Sequence, residues 1–479
     1  MTSGYCSPLS VLPGQPVTLH ASGDGGRLDV EVVRDGAAPK AVWRADGLTV
    51  ANAPTPDDAP EHGCGWEPTA SIPTDASWRS GLYLVRLNGE APVAWFVVRS
   101  PEPSSARALL VLATNTWNAY NEFGGRNLYT GAIQMSFERP LPPGFLDKPS
   151  APGERVVSGA AYVEYTAEHE LSIWHGMAGW AGQERRFVTW AEREGITLDY
   201  AINADLDHVP GLLDGYALYL SVGHDEYWTW GMRDAVESYV GAGGNAAFLS
   251  GNTCYWQVRL EGSAMVGYKY RFEEDPVFGS DRSQRTTTMW SDPLTGRPEA
   301  AMTGVSFTRG GYARTFRSVS RGSGGYEIHR PDHWLFAGTR VRRGDILGGE
   351  HVVVGYECDG CDLTLVDGLP VATGRGGTPS SFEVVGTAPA TPFDKDTTPL
   401  PLAPGASHEL EFHARRLLGD DGPESCDRLR HGHAVLGTYT GGGTVVTAGC
   451  TEWAYGLDDP TVAQVTRNVV ALRLRDRDG

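Results

Sequence analysis

Tyr216-Ala217-Leu218-Tyr219-Leu220-Ser221-Val222 is an uncharged, mostly apolar run, and Gly223-His224-Asp225-Glu226-Tyr227-Trp228 follows it with no spacer. An apolar run of this length bounded by ionisable residues predicts a buried strand. Beyond it, Met232, Val236, Tyr239 and Val240 recur at three- and four-residue spacing, which predicts a helix ended by Gly243-Gly244. His224 and Glu226 therefore stand at the carboxyl end of a strand. In open α/β sheets ligands bind along that edge, because the strand-to-helix loops open into a crevice there.

The same rhythm extends to both sides. Apolar runs at 108–114, 197–202, 216–222 and 245–250 alternate with helical patterns, the signature of parallel β-α-β units. Between the first two, 183–194 carries Phe187, Val188, Trp190 and Ala191 among Glu and Arg, a crossover helix stopped by Gly195. From Trp256 onward the chain is rich in Gly, Thr and short β-like runs, until 461–474 reads as a closing helix. No internal repeat is present. Ahead of this region, 17–98 offers short strand-like runs broken by Gly, Pro and Asp, which predicts an immunoglobulin-like β-sandwich. Pro101-Glu102-Pro103-Ser104-Ser105 reads as the linker, dividing the chain into 1–103 and 104–479.

A length of 479 residues exceeds what one hydrophobic core organises, in keeping with two domains. The net charge of -19 leaves no excess of cations for phosphates, which argues against nucleic acid or an anionic membrane surface as partner. Met1-Thr2-Ser3-Gly4-Tyr5-Cys6 lacks a basic and an apolar segment, and nowhere do 18 apolar residues run together, so the expectation is a cytoplasmic soluble protein. Seven cysteines are too few for a disulfide framework, although Cys6 and Cys64 are candidates to pair. Cys358-Asp359-Gly360-Cys361 has zinc-ligand spacing but no second pair to complete a site.

Each predicted strand ends in polar residues: Asn115-Thr116-Trp117-Asn118-Ala119-Tyr120-Asn121, Asn203-Ala204-Asp205-Leu206-Asp207, His224-Asp225-Glu226 and Gly251-Asn252-Thr253. Parallel strands bring these ends to one edge, where carboxylates, an imidazole, carboxamides and a phenol would suit a metal or acid/base site. Asp205 and Asp207 read equally as turn formers, and Asp225 as the cap of the helix that follows. Taken alone, Tyr120 reads as a packing aromatic and Glu357 as a strand residue paired with Arg or Lys.

Several motifs in order carry a family resemblance. They are Ala119-Tyr120-Asn121-Glu122-Phe123-Gly124-Gly125-Arg126-Asn127-Leu128-Tyr129, Ser136-Phe137-Glu138-Arg139-Pro140, Gly223-His224-Asp225-Glu226-Tyr227-Trp228, Gly251-Asn252-Thr253-Cys254-Tyr255-Trp256, Val354-Gly355-Tyr356-Glu357-Cys358-Asp359-Gly360 and Ala448-Gly449-Cys450-Thr451-Glu452-Trp453. With them the chain resembles the large (β) subunit family of N,N-dimethylformamidase, from about Ala108 to the carboxyl terminus. The resemblance implies an amidotransferase-like (Rossmann-like) α/β domain with additional β elements, and an iron-dependent hydrolase of the C–N bond of a small formamide or acylated amine. It implies a mononuclear, ferric iron held by two tyrosines and a glutamate. Carried over, Glu226 is the carboxylate ligand, Tyr120 the first tyrosine and Tyr162 the second. Tyr165 and Tyr129 are the other candidates, Tyr129 being disfavoured because the family's two tyrosines lie far apart in the chain. His224 and Asn252 become substrate- or water-orienting groups, and Glu357 the catalytic carboxylate. The family works with a small subunit, so the expected partner is a separate chain or a second copy. Residues 1–103 are not visibly matched, and 374–424 reads as a lid or insertion.

The residue chemistry agrees with that set. Two phenolates and a carboxylate suit hard trivalent iron better than zinc, whose usual ligands are imidazole and thiolate. Free tyrosine titrates near pH ~10, so both phenols would ionise only by losing their protons to the metal. Iron would act as a Lewis acid on the amide carbonyl and on water, with Glu357 shuttling the proton and His224 and Asn252 stabilising the oxyanion or holding the water. Two other readings stand beside this one: iron-tyrosinate redox chemistry on an aromatic substrate, and a non-catalytic binding protein. A cysteine nucleophile is disfavoured, since none stands at the His224-Asp225-Glu226 elbow and Cys254 reads as a buried small apolar residue.

Overall fold

A computed structural model describes residues 2–314, 322–394, 397 and 408–474. The four apolar runs form the strands Ala108–Leu112, Leu198–Ile202, Leu218–His224 and Asn245–Gly251. Every residue in them is buried, as parallel strands covered on both faces require. Gly443–Thr447 adds a fifth. Side by side the order is Leu198–Ile202, Ala108–Leu112, Leu218–His224, Asn245–Gly251, Gly443–Thr447, each pair parallel. The winding direction reverses between Ala108–Leu112 and Leu218–His224, so a crevice opens at the carboxyl ends of those two strands. Gly432–Gly441, Glu383–Ala390, Tyr326–Ile328 and Ile346–Leu347 then extend the sheet antiparallel to nine strands.

The 374–424 stretch, expected as a lid or insertion, supplies Glu383–Ala390 to this sheet and continues into the helices Glu409–Leu418 and Pro423–Arg430. Part of it, 395–396 and 398–407, lies outside the described residues.

The crossover helix spans Glu184–Arg193, and the closing helix Pro460–Val470 begins on the Asp459 carboxylate, which accepts from Thr461 N at 2.7 Å. The helix after the Gly223–Trp228 tract starts later than expected. Tyr227–Trp228 first pairs with Trp256–Gln257 in a parallel ribbon, so the cap is Thr229, whose Oγ1 accepts from Met232 N at 3.1 Å. Asp225 is left beneath the sheet edge, accepting from Ser221 Oγ at 2.8 Å and Asn203 Nδ2 at 3.3 Å. Asp205 serves as a turn group, its Oδ2 accepting from Ile202 N at 2.9 Å, while Asp207 Oδ1 accepts from Oγ1 of the cap residue Thr229 at 2.8 Å.

In the amino-terminal part, a three-stranded sheet and a five-stranded sheet enclose a core that includes Cys6, Leu19, Val32, Ile72, Tyr83 and Phe96. The opposite face of the larger sheet is apolar too: Leu82, Leu84, Trp95 and Val97 join the main core, with Trp95 edge-on to Trp117 at 5.1 Å. Asp35 locks the contact by accepting from Trp180 Nε1 at 2.7 Å and Arg185 Nε at 2.8 Å. All seven cysteines are buried and unpaired. Cys6 and Cys64 lie in different apolar clusters, as do Cys358 and Cys361. Among the described residues no helix is long and apolar enough to cross a membrane.

Where the crossover helix meets the sheet, the buried Glu184 carboxyl accepts from Trp117 Nε1 at 3.0 Å, and burial pushes its pKa up to about 8. The folded state therefore holds a proton that the unfolded chain releases near pH ~4.5. This contribution is full below that pH and is lost as pH rises toward 8, at up to about 1.4 kcal/mol per pH unit. Glu184→Gln is expected to flatten the fall in stability across this window, read from urea midpoints at a series of pH values.

Candidate metal centre

The strand Ala108–Leu112 runs into the helix Thr114–Tyr120, which is buried throughout. Its carboxyl end is satisfied by the buried Arg139, which donates to Asn118 O at 3.2 Å, Asn121 O at 3.0 Å and Phe123 O at 2.9 Å. Gly124 and Gly125, at φ 89° and 97°, then reverse the chain. Leu128 N bonds Ala119 O at 3.1 Å and Asn127 Nδ2 bonds Tyr120 O at 3.2 Å, so the loop folds back on the helix end. The Tyr129 ring thus returns to 4.5 Å from the Tyr120 ring, with Trp174 packed against both at 5.6 Å.

Glu226 arrives from the neighbouring strand end, its backbone N anchored on Thr116 Oγ1 at 2.9 Å. Tyr129 Oη lies 2.8 Å from Tyr120 Oη and 2.9 Å from each Glu226 carboxylate oxygen. Behind it, Tyr227 Oη donates to Tyr129 Oη at 2.9 Å and Lys269 Nζ donates to Tyr227 Oη at 2.8 Å. On the other side, His224 Nδ1 donates to Met177 O at 2.8 Å, which turns Nε2 toward Glu357 Oε2 at 2.6 Å and Glu226 Oε2 at 3.3 Å. Asn252 Nδ2 donates to Glu357 Oε2 at 3.2 Å. Asn252 holds a left-handed backbone, φ 49°, as strained residues at functional sites do.

Glu357 is placed by a second crossing of chains. Its strand, Glu357–Gly360, pairs with Ser306–Tyr312, and Thr451 N donates to Glu357 O at 3.1 Å. Thr253 N donates to Asp359 Oδ2 at 3.1 Å, tying the Asn252 turn to the same strand. These backbones pass so close to Gly251 that a Cβ there would stand 2.4 Å from Thr451 N and 2.6 Å from Glu357 O. Gly251→Ala is expected to cost about 1–3 kcal/mol by overpacking and to displace Glu357. A lowered urea midpoint together with lost activity would be the reading.

Burial first, then the Glu226 charge, holds the Tyr120 and Tyr129 hydroxyls well above their ordinary pKa of 10, so both are neutral without a cation. Burial alone would lower the His224 imidazole, but the Glu357 and Glu226 carboxylates outweigh it and hold the ring well above 6.5, charged. Burial would raise Glu226, and its contacts with His224, Lys269 and Tyr129 outweigh that, keeping it an anion below its ordinary 4.5. Burial pulls Lys269 down to about 7 against the pull of Glu226, Glu357 and Glu409.

Of the residues singled out in the sequence, the structure brings Tyr120, Glu226, His224, Glu357 and Asn252 together. Tyr162 is elsewhere: its Oη donates to Ile173 O at 2.6 Å and accepts from Gly176 N at 3.1 Å, and its ring stacks on His175. Tyr165 Oη donates to Pro149 O at 2.5 Å. The tyrosine beside Tyr120 and Glu226 is Tyr129, because the two-glycine loop folds the chain back rather than leading it away. Tyr227 and Lys269 were not singled out. Tyr227 lies inside the Gly223–Trp228 tract, and Lys269 stands between aromatics in Tyr268-Lys269-Tyr270, a residue order whose burial nothing in the sequence announces.

Donor atoms of His224, Glu226 and Glu357 lie within 4.8 Å of one another, all three residues buried. Together with the Tyr120 and Tyr129 hydroxyls they form a pocket of oxygen donors and one imidazole nitrogen, in which the two phenols become anionic only if a cation displaces their protons. Such a set fits a hard, highly charged ion.

The family described as N,N-dimethylformamidase beta subunit-like, C-terminal, matches residues 28–467. The relation therefore reaches into the amino-terminal sheets, well before the Ala108 start at which the motifs become visible. Similar relatives are the N,N-dimethylformamidase beta subunits of Alcaligenes sp and Paracoccus aminophilus, each 26% identical over 328 residues, 64% of this chain. That alignment covers 38% of the length of either relative. By the extent of the family match, the chain belongs to the N,N-dimethylformamidase beta subunit-like, C-terminal family.

Proposed function

We propose that this chain hydrolyses the C–N bond of a small amide, a formamide or acylated amine, at a ferric iron held by Tyr120, Tyr129 and Glu226. The observation that carries this reading is the His224 imidazole standing between Glu226, at 3.3 Å, and Glu357, at 2.6 Å: a base is fixed beside the ligand set without belonging to it. A carboxylate placed to move a proton beside the ligand set suits hydrolysis by water. The donor set fits iron by its chemistry, two phenols and a carboxylate in a buried pocket, and Asn252 Oδ1 is a buried polar atom there with no hydrogen-bond partner among the described residues. When bound, the ion supplies Lewis acidity, polarising the amide carbonyl and lowering the pKa of water.

The protein's own groups handle the proton. Glu357, whose Oε2 lies 2.6 Å from His224 Nε2 and accepts from Asn252 Nδ2, takes a proton from the attacking water and returns it to the departing amine nitrogen. His224, pinned through Nδ1 on Met177 O, orients Glu357. Trp174, stacked on Tyr129, and Tyr356, whose ring lies 6.0 Å from that of His224, give the site aromatic walls. Both named relatives are beta subunits, and the same proposal includes a separate partner chain or a second copy. The test is a panel of small formamides and acylated amines, with amine release and oxygen uptake followed together. Stoichiometric amine and carboxylate without oxygen uptake is the expected outcome, whereas turnover coupled to oxygen would replace hydrolysis with redox chemistry.

A further inference from the structure

Lys269 is 3% exposed, yet among the described residues no carboxylate forms an ion pair with it. Its Nζ has one hydrogen-bond acceptor, Tyr227 Oη at 2.8 Å, and lies 3.3 Å from the centroid of the Tyr129 ring. Its backbone is left-handed, φ 56°, held there by Lys269 N on Thr287 O at 2.9 Å and Tyr268 N on Thr287 Oγ1 at 2.8 Å. A buried amine at a strained backbone position is costly, and such costs persist where a site depends on them.

The hydrogen bonds run in one direction. Lys269 Nζ donates to Tyr227 Oη, which spends its own hydrogen on Tyr129 Oη at 2.9 Å. Tyr129 is left to direct its hydrogen toward Glu226 or Tyr120, at 2.8–2.9 Å, the side on which a cation would displace it. A hydrogen-bond donor at the phenol oxygen stabilises the phenolate, and so reduces the electron density it gives to an ion.

We propose that Lys269 and Tyr227 are positioning residues for Tyr129, orienting its oxygen on the ligand pocket and setting how strongly it donates; this rests on the reading of Tyr129 as a ligand. Neither residue supplies a ligand, so removing either leaves the ligand set intact. The test uses the full chain loaded with ferric iron, comparing wild type with Lys269→Met and Tyr227→Phe by iron content, visible spectrum and kcat. Expected are unchanged iron stoichiometry, a phenolate-to-iron band moved to longer wavelength in each variant, and kcat lowered about 10- to 100-fold. Tyr227→Phe removes a single oxygen and decides the matter if Lys269→Met does not fold. An unmoved band in iron-replete variants, or loss of iron from Tyr227→Phe, overturns this inference alone. A wild-type chain that takes up no iron overturns the ligand reading, and this inference with it.

Discussion

Replacing Glu357 by Gln should lower kcat by about 10²- to 10⁴-fold, the range that a positioned general base contributes, while iron content stays unchanged. Glutamine keeps the shape and can still meet Asn252, which is 3.2 Å away, but it cannot hold the transferred proton. The carboxylate is well placed for that task, because His224 and Asn252 both hold Oε2 and the strand Glu357–Gly360 is braced by Thr451 and Gly251. Steady-state kinetics on the iron-loaded variant read the effect directly. An unchanged kcat would remove Glu357 from the chemistry and reduce it to a partner of His224.

The second large effect separates two tyrosines. Tyr129→Phe should abolish tight iron binding, a greater loss than the roughly 10- to 100-fold typical of groups one layer out, because Tyr129 Oη sits 2.8–2.9 Å from both Tyr120 and Glu226. Tyr162→Phe should leave iron binding intact and cost stability instead. It strands Ile173 O and Gly176 N, groups that Tyr162 Oη now satisfies, at about 1–3 kcal/mol. Iron titration and urea midpoints on both variants would show the two effects crossing over. Loss of iron from Tyr162→Phe with retention in Tyr129→Phe would reverse the assignment.

Four of the five parallel strands were legible because they are buried on both faces and read as apolar runs between helical patterns; the fifth, Gly443–Thr447, GTVVT, was not. Nor was the antiparallel half. Strands such as Glu383–Ala390, EVVGTAPA, and Gly432–Gly441, GHAVLGTYTG, interrupt their apolar residues with Gly and Thr, so they read only as short β-like runs with no place in a sheet until their neighbours are known. At the site, His224 and Glu226 were readable from their place after a strand, and Glu357 only through the family motif around it. The resemblance favours Tyr162 over Tyr129 because the family's two tyrosines lie far apart in the chain, whereas here a nine-residue separation brings two rings together. Gly124-Gly125 permits that reversal, but Asn127 and Leu128 hydrogen-bonding back to the helix end is what fixes it, and those bonds exist only in the folded chain. Lys269 stayed hidden for a related reason: its burial is a product of tertiary packing, and a lysine carries no mark of it in the sequence.

The most direct measurement is the visible absorption spectrum of the purified chain, taken together with its iron content. One iron per chain with a phenolate-to-ferric charge-transfer band, lost in Tyr129→Phe and kept in Tyr162→Phe, is the predicted result. A colourless protein that cannot be reconstituted with ferric iron would contradict the assignment of Tyr120, Tyr129 and Glu226 as its ligands.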